Sequence, residues 1–240
     1  MASEYLKWKY KDVPPDKPLE LTKEQKRKNW WHYHKWHVII GAILLATAGS
    51  ILAHALGLGQ IKPDYQIAYV GAAPLPDDTV KAIEAQLVPY GEDVNGDGRV
   101  VFKINQYPTD SNEEGADAAM YASGSSIRLM GDLDSRQSCL FILEDYETFH
   151  NKYDVLADST GAIAKDADSA EKLRWGDSTF LSALDLGSYT DTVLGKTISG
   201  NSNELMKDLY LAPRGYLPDD TEKEQQACRD VWARLKGEGK

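Results

Sequence analysis

The hydrophobic pattern of the chain is dominated by one apolar run, residues 38–58 (VIIGAILLATAGSILAHALGL), which contains no Lys, Arg, Asp or Glu. As a helix this run would rise about 32 Å, enough to cross a hydrocarbon core of about 30 Å. The pattern therefore predicts a membrane-spanning helix, with the lipid bilayer as the partner of residues 38–58.

The residues before the run predict where this helix begins. Thr22 followed by Gln25 has the form of a capping box, so we expect one helix from about Lys23 to about Leu58. A cleaved signal peptide is the alternative, because Ala53-His54-Ala55 has the small-x-small form of a cleavage site. A leader of 37 residues and a long apolar run favour an uncleaved anchor.

Charges on the two sides of the run predict its orientation. Lys62 is alone just after the run, whereas five basic residues crowd its N-terminal side: Lys23, Lys26, Arg27, Lys28 and Lys35. The positive-inside rule places the N-terminus in the cytoplasm and residues from about 60 onward outside the cell. Aromatic residues fall where an inner interfacial belt is expected: Trp30, Trp31, Tyr33 and Trp36.

Beyond Gln60, strand patterns alternate with helix patterns. Strands are predicted at residues 65–70, 100–107, 139–143 and 209–211, and helices at 77–88, 116–133, 146–153 and 220–236. Asp77 is the expected N-cap of the first of these helices, whose apolar stripe is Val80, Ile83 and Leu87. This alternation predicts an α/β domain with three layers and a mainly parallel sheet. Residues 157–205 mix turn formers with brief apolar runs, and their pattern assigns no order of elements.

The chain is thus expected to have three parts. Residues 1–21 are predicted to be a disordered cytoplasmic tail, residues 22–59 a juxtamembrane and transmembrane helix, and residues 60–240 an extracellular α/β domain. We expect a single-pass protein of the cell membrane.

Charge and cysteine content narrow the classes of partner. Residues 61–240 carry 18 Lys and Arg against 32 Asp and Glu, which argues against a nucleic-acid partner. Two cysteines, Cys139 and Cys228, exclude a disulfide scaffold. One bridge between them and two packed thiols fit the spacing equally well.

One loop has the pattern of a metal site. Asp93, Asn95 and Asp97 stand at positions 1, 3 and 5 of an EF-hand-like loop, Gly98 at position 6, and Arg99 would offer its backbone carbonyl from position 7. Position 12 is Ile104 instead of the bidentate Glu, although Glu92 or Asp110 could supply a carboxylate. The alternative is an Asn-Gly and Asp-Gly turn that binds no metal. Calcium is the one cofactor that the sequence suggests, and no other is expected.

Catalytic patterns are not filled. His150 is the only histidine after the apolar run, and there is no G-x-S-x-G elbow. Zinc would have one histidine and two separated cysteines in this part of the chain. We therefore expect a protein that is not an enzyme.

Residues 64–157 resemble one lobe of the extracellular solute-binding proteins that serve bacterial ABC importers. The resemblance is carried by the strand YQIAYVG, the helix DDTVKAIEAQLVPYG, the strand VVFKINQY and the run IRLMGDLDSRQSCLFILEDYETF. It implies a ligand-binding α/β lobe, but no ligand motif is carried over with it. The chain departs from that family in its helical tether and in being too short for two lobes. It is also similar to small membrane-anchored proteins of Gram-positive bacteria.

Two functions are compatible with these observations. The first is a tethered extracellular domain that binds a small solute, sugar or peptide. The second is an accessory or assembly subunit of a cell-envelope complex that acts through protein contacts. A groove at the carboxyl ends of the strands would favour the first, and an exposed apolar patch would favour the second.

Overall fold

A computed structural model describes residues 22–55, 62–109, 116–193, 196–217 and 222–237, together with Glu4. The chain divides into two compact units, Met1–Gln60 and Ile61–Lys240. The tail predicted at residues 1–21 lies outside the described residues, apart from Glu4. The predicted end of the helix at Leu58 also lies outside them.

The first unit contains helix α1, Lys23–Ala55. The capping box is confirmed at its start, because the Thr22 amide donates to Gln25 Oε1 at 2.9 Å and the Gln25 amide donates to Thr22 Oγ1 at 3.4 Å. The helix has an apolar segment with a mean hydropathy of 1.9, none of which is buried. It is long and apolar enough to cross a membrane.

The second unit is a mixed α/β domain. Its main elements are β1 (Tyr65–Val70), α2 (Asp77–Leu87), β2 (Phe102–Gln106), α3 (Ala116–Ser135), β3 (Leu140–Leu143), α4 (Tyr146–Tyr153), β4 (Leu173–Arg174), β5 (Ser188–Val193), β6 (Lys196–Asn201), α5 (Ser202–Met206), β7 (Tyr210–Pro213) and α6 (Glu222–Leu235). Short 3₁₀ turns lie at Val88–Tyr90 and Leu181–Ala183.

The sheet is mixed, so the expectation of a mainly parallel sheet is corrected. Within the described residues, five strands follow the order β2-β1-β3-β7-β4, and strands β5 and β6 form a separate hairpin. Strand β1 pairs in parallel with β2 and β3, whereas β7 is antiparallel to both β3 and β4. The connection from β3 to β7 contains α4, the two-residue strand β4, the hairpin of β5 and β6, and α5, and it returns the chain to the sheet antiparallel to β3.

Alternate side chains of the strands enter two hydrophobic clusters. On β1, Ile67 belongs to the first cluster and Ala68 to the second. The first cluster includes residues of α2 and α6, among them Ile83 and Leu235. The second cluster includes residues of α3 and α4, among them Leu129 and Phe149. This alternation follows from the period of two along a strand.

Sequence periodicity placed the longer helices within a few residues of their observed bounds. The predicted stripe of α2, namely Val80, Ile83 and Leu87, is buried. The N-cap assignment was wrong, because Pro76 is the N-cap, with no side-chain hydrogen bond, and Asp77 is the first helical residue. Proline restricts φ to about −65°, and Pro76 has φ of −57°. The ring therefore holds the backbone at the start of the helix without a capping side chain.

Candidate functional site

The EF-hand-like loop lies between the 3₁₀ turn Val88–Tyr90 and strand β2. Asp93 accepts three backbone hydrogen bonds, from Gly96 at 2.6 Å, Asp97 at 3.1 Å and Gly98 at 2.8 Å. Asn95 Oδ1 accepts from the Asp97 amide, and Asp97 Oδ1 accepts from the Arg99 amide, both at 2.9 Å. The predicted ligand oxygens are therefore acceptors for the backbone of their own loop.

A second carboxylate holds this loop from outside it. Asp64 Oδ1 accepts from the amides of Val94 and Asn95, and its Oδ2 accepts from Val101. The loop also needs its glycines, since Gly96 and Gly98 have φ of 77° and 85°.

Calcium binding by Asp93, Asn95, Asp97 and the Arg99 carbonyl stays a prediction. Of the two carboxylates that could complete the site, Glu92 is paired with Arg234, and Asp110 lies outside the described residues. The part of the chain that the structure describes holds no group of three or more His, Cys, Asp or Glu placed to bind a metal.

At the carboxyl ends of β1 and β3, polar groups bond to one another. Glu144 Oε2 accepts from the Ala72 amide at 2.6 Å, and Tyr69 donates its hydroxyl to the Ala73 carbonyl at 2.8 Å. Thr109 donates its amide to the Gly71 carbonyl at 2.8 Å. A Cβ at Gly71 would lie 2.3 Å from the Tyr69 hydroxyl, so a side chain at this position would displace the Tyr69 ring. These bonds fold residues 71–73 back over the strand ends.

A cavity of about 440 Å³ lies instead at the amino ends of β1 and β3. Its wall combines polar and apolar side chains from the start of β1, the loops that precede β2 and β3, the segment after β7, and helix α6. The lining residues are Pro63, Asp64, Gln66, Val94, Ser135, Arg136, Gln137, Cys139, Arg214, Tyr216, Gln225, Ala227 and Cys228. Its volume is in the range of about 300–1,000 Å³ typical of small-ligand pockets.

Arg214 gives this wall a buried positive charge. Only 8% of the residue is exposed, and its Nη1 donates to the Arg136 carbonyl at 3.0 Å. Arg136 ends helix α3 with φ of 56°, a left-handed conformation that is uncommon for a residue with a side chain. This turn directs the Arg136 carbonyl to the guanidinium and so fixes one side of the cavity.

Tyr216 is close to two arginines and lines the same cavity as both cysteines. Its ring centroid is 6.0 Å from Cζ of Arg214 and 5.6 Å from Cζ of Arg229, the separation of cation–π pairs. Burial and the neighbouring sulfurs of Cys228 and Cys139 raise the pKa of the Tyr216 hydroxyl well above its usual value. The hydroxyl therefore stays protonated at neutral pH.

The two cysteines meet at this wall. Cys139 is buried just before β3, and Cys228 is half-buried on α6 and packs against the cluster to which Cys139 belongs. A hydrogen bond with Cys228, together with burial, raises the pKa of the Cys139 thiol. Both residues are thiols in this structure.

Helix α3 and strand β3 are tied together beside the cavity by one buried carboxylate. Asp132 accepts from the Tyr107 hydroxyl at 2.5 Å, from the Ser138 amide at 2.9 Å and from the Ser138 hydroxyl at 2.7 Å. Burial and the hydrogen bond to Asp132 raise the pKa of the Tyr107 hydroxyl. These bonds position the turn that carries Arg136 and Gln137.

The sequence patterns did not predict the residues of the cavity wall. Arg214 and Tyr216 lie more than seventy residues from Arg136 along the chain, and no spacing rule links them. The available signal was the pair of cysteines, which the pattern placed at the start of a strand and on the last helix. His150, the only histidine after α1, lies on α4, buried, with its Nε2 3.6 Å from Asp154 Oδ1.

Comparison of the chain with family models, with curated proteins and with solved structures gives no match, so the chemistry of this wall is the basis for assigning a function.

Proposed function

We propose that the protein is a membrane-anchored domain that binds a small polar solute outside the cell, without catalysis, in the cavity at the amino ends of β1 and β3. The observation that carries the proposal is the composition of the cavity wall. It joins a buried guanidinium and amide side chains to an apolar side formed by Val94 and Ala227.

Such a wall suits a solute that has both polar and apolar faces. Glutamine side chains offer donors and acceptors to hydroxyl and carbonyl oxygens, and arginine prefers carboxylates. Tyr216 adds an aromatic face on which an apolar surface can pack. A sugar, an amino acid or a short peptide has this chemistry.

The anchor and its orientation complete the proposal. Helix α1 is long and apolar enough to cross a membrane, and the basic residues before it favour a cytoplasmic N-terminus. The C-terminal domain would then face outward as a tethered receptor. The resemblance of residues 64–157 to a solute-binding lobe with three layers supports the same function.

A thermal-shift screen of the full chain in detergent tests the proposal. Sugars, amino acids and short peptides are added to the wild type and to two variants. A solute at a hundred times its dissociation constant should raise the melting temperature by about 5–10 °C.

The two variants separate cavity binding from binding elsewhere. Gln137→Trp places a large ring at the cavity wall and should abolish the shift. Gln226→Trp makes the same substitution at an exposed glutamine outside the cavity wall and should preserve the shift. A solute that shifts all three proteins equally would contradict the assignment.

A second function is favoured by a different surface. Helix α3 exposes large apolar side chains: Met120 is 75% exposed, Ile127 70% and Met130 61%. Contiguous exposed apolar residues mark protein contact sites. This face favours the accessory-subunit function, with another protein covering α3.

One form of this function is contact with a second copy of the chain. An added Cβ at Gly124 or Gly131 would meet nothing within 4 Å, so the space beside these glycines of α3 is open. Sedimentation of the full chain in detergent should then show a dimer. Ile127→Glu with Met130→Glu should leave a monomer, whereas a monomeric wild type would reject self-association through this face.

A further inference from the structure

We propose that Cys139 and Cys228 are a dithiol site that a disulfide oxidant converts to one intramolecular disulfide, joining helix α6 to the amino end of strand β3. This inference goes beyond solute binding and does not depend on it.

The backbone holds Cys139 in place from both sides. Its amide donates to the Gln66 carbonyl of β1 at 3.0 Å, and its carbonyl accepts from the Arg214 amide at 3.0 Å. The side chain is 7% exposed and belongs to the hydrophobic cluster of the first face.

Helix α6 brings the second sulfur to the first. Val231, Trp232 and Leu235 are buried in the same cluster, so they fix the side of α6 that faces the sheet. Cys228 lies one turn before Trp232 on that side and packs against the cluster that contains Cys139. Both cysteines border the cavity of about 440 Å³, which gives a small oxidant a path to them.

The difference in exposure sets the order of the reaction. Cys228 is half-buried and Cys139 is buried, so the Cys228 thiolate attacks the external disulfide R–S–S–R first. That step forms a mixed disulfide on Cys228 and releases one R–S⁻. The Cys139 sulfur then attacks Cys228 Sγ, gives up its proton to solvent and releases the second R–S⁻. The protein loses two hydrogen atoms, and the oxidant is reduced to two thiols.

Arg214 places a positive charge near Cys139 and favours its thiolate. Cys228 and burial outweigh this effect and raise the pKa of the Cys139 thiol, so Cys139 is the second sulfur to react.

The bond would restrain a large part of the domain. It closes a loop of roughly 90 residues that contains β3, β7 and the region between them. Because this loop closure removes freedom from the unfolded chain, oxidation should raise the melting temperature by about 10 °C.

The test uses the full chain in detergent, reduced and then treated with oxidised glutathione. Denatured samples are alkylated with N-ethylmaleimide and analysed by intact mass and peptide mapping. Two labelled cysteines before oxidation and none after it, with the peptides of Cys139 and Cys228 joined in one chain, are expected. Two labelled cysteines after oxidation, glutathione on both sulfurs, or a bond between two chains would overturn the proposal.

Matched variants test the thermal effect. Cys228→Ser and Cys139→Ser each remove one sulfur, so oxidised glutathione should no longer raise the melting temperature. A shift that persists in either variant would overturn the proposal. Since Cys139 is buried and its variant could fail to fold, the labelling of the wild type and the Cys228→Ser result are sufficient to decide.

Discussion

Aspartate side chains of this domain accept hydrogen bonds from backbone amides in turns. Asp93, Asp64 and Asp145 each accept at least one backbone amide, and each lies where the chain changes direction. A carboxylate stabilises such a turn because charged acceptors form stronger hydrogen bonds than neutral ones. These residues therefore link individual side chains to the stability of whole loops.

We predict that Asp93→Ala lowers the free energy of unfolding by about 1–2 kcal/mol in calcium-free buffer, because three backbone amides lose their acceptor. Asp97→Ala should cost less, since Asp97 accepts from the Arg99 amide whereas Asp93 accepts from three amides. Urea unfolding of both variants measures the difference. Equal losses would contradict the larger contribution of the three bonds to Asp93.

The same variants test the predicted calcium site. If Asp93, Asn95, Asp97 and the Arg99 carbonyl bind calcium, millimolar calcium should raise the melting temperature of the wild type and leave the Asp93→Ala, Asp97→Ala double variant unchanged. If the loop is a metal-free turn, neither protein should respond to calcium.

Asp145 should make stability depend on pH. It caps helix α4, accepts from the Thr148 amide at 2.9 Å and from the Thr148 hydroxyl at 2.7 Å, and these bonds hold its pKa below the ordinary 3.8. Because the folded-state pKa is lowered, its contribution is present above pH 3.8 and is lost as pH falls through the folded-state value. Asp145→Ala should cost about 1 kcal/mol at pH 7. Denaturant unfolding from pH 7 to pH 3 should show this difference shrinking, and a constant difference would contradict the capping role.

At single residues, the sequence predicted where a tight loop lies, but it did not decide whether that loop binds a metal or is only a turn. The spacing of Asp93, Asn95 and Asp97 correctly marked a tight loop, because oxygen side chains and glycines serve turns and metal sites alike. The acceptor role of Asp64 was not predictable, since it lies about thirty residues away and depends on the pairing of β1 with β2.

At the level of elements, periodicity was sufficient where one face is buried. The spacing of Cys228, Val231, Trp232 and Leu235 predicts one apolar side for α6. The last three of these residues are buried, and Cys228 is half-buried. The hairpin of β5 and β6 was not predicted, because its strands, SYTDTV and KTISGN, carry few apolar residues. The two strands pair with each other apart from the five-stranded sheet, and β5 lies against α2, where the Thr190 amide donates to Asp78 Oδ2 at 3.4 Å.

We predict that Leu235→Ala lowers the free energy of unfolding by about 2–5 kcal/mol, since Leu235 is fully buried and its loss leaves a cavity between α6 and the sheet. Leu205→Ala is the matched control, because Leu205 is 37% exposed, and its cost should be smaller. Chemical denaturation measures both. Similar costs would mean that α6 is not packed as described.

At the level of the whole molecule, the sequence predicted the α/β class and the apolar helix, but not the direction of the later strands. Two parallel pairings follow from the βα units before residue 144, each of which shows a strand and a helix in sequence. Strand β7 is antiparallel to β3, and its direction was not predictable because residues 157–205 have no clear pattern of elements in the sequence. The cavity wall was beyond sequence reasoning because it joins segments from five parts of the chain.

The predicted topology is tested in intact cells. With α1 retained as an anchor, external protease should remove residues 62–240 and spare an epitope at the N-terminus. Release of a soluble protein that begins near Leu56 would instead identify the apolar run as a cleaved signal peptide.

Binding at the cavity is tested most directly by calorimetric titration of the full chain in lipid nanodiscs with the solute that gives the largest thermal shift. We predict one site per chain in the wild type and in Gln226→Trp, and affinity lowered at least about tenfold in Gln137→Trp. Equal affinity in all three proteins, or no binding by the wild type, would contradict the account.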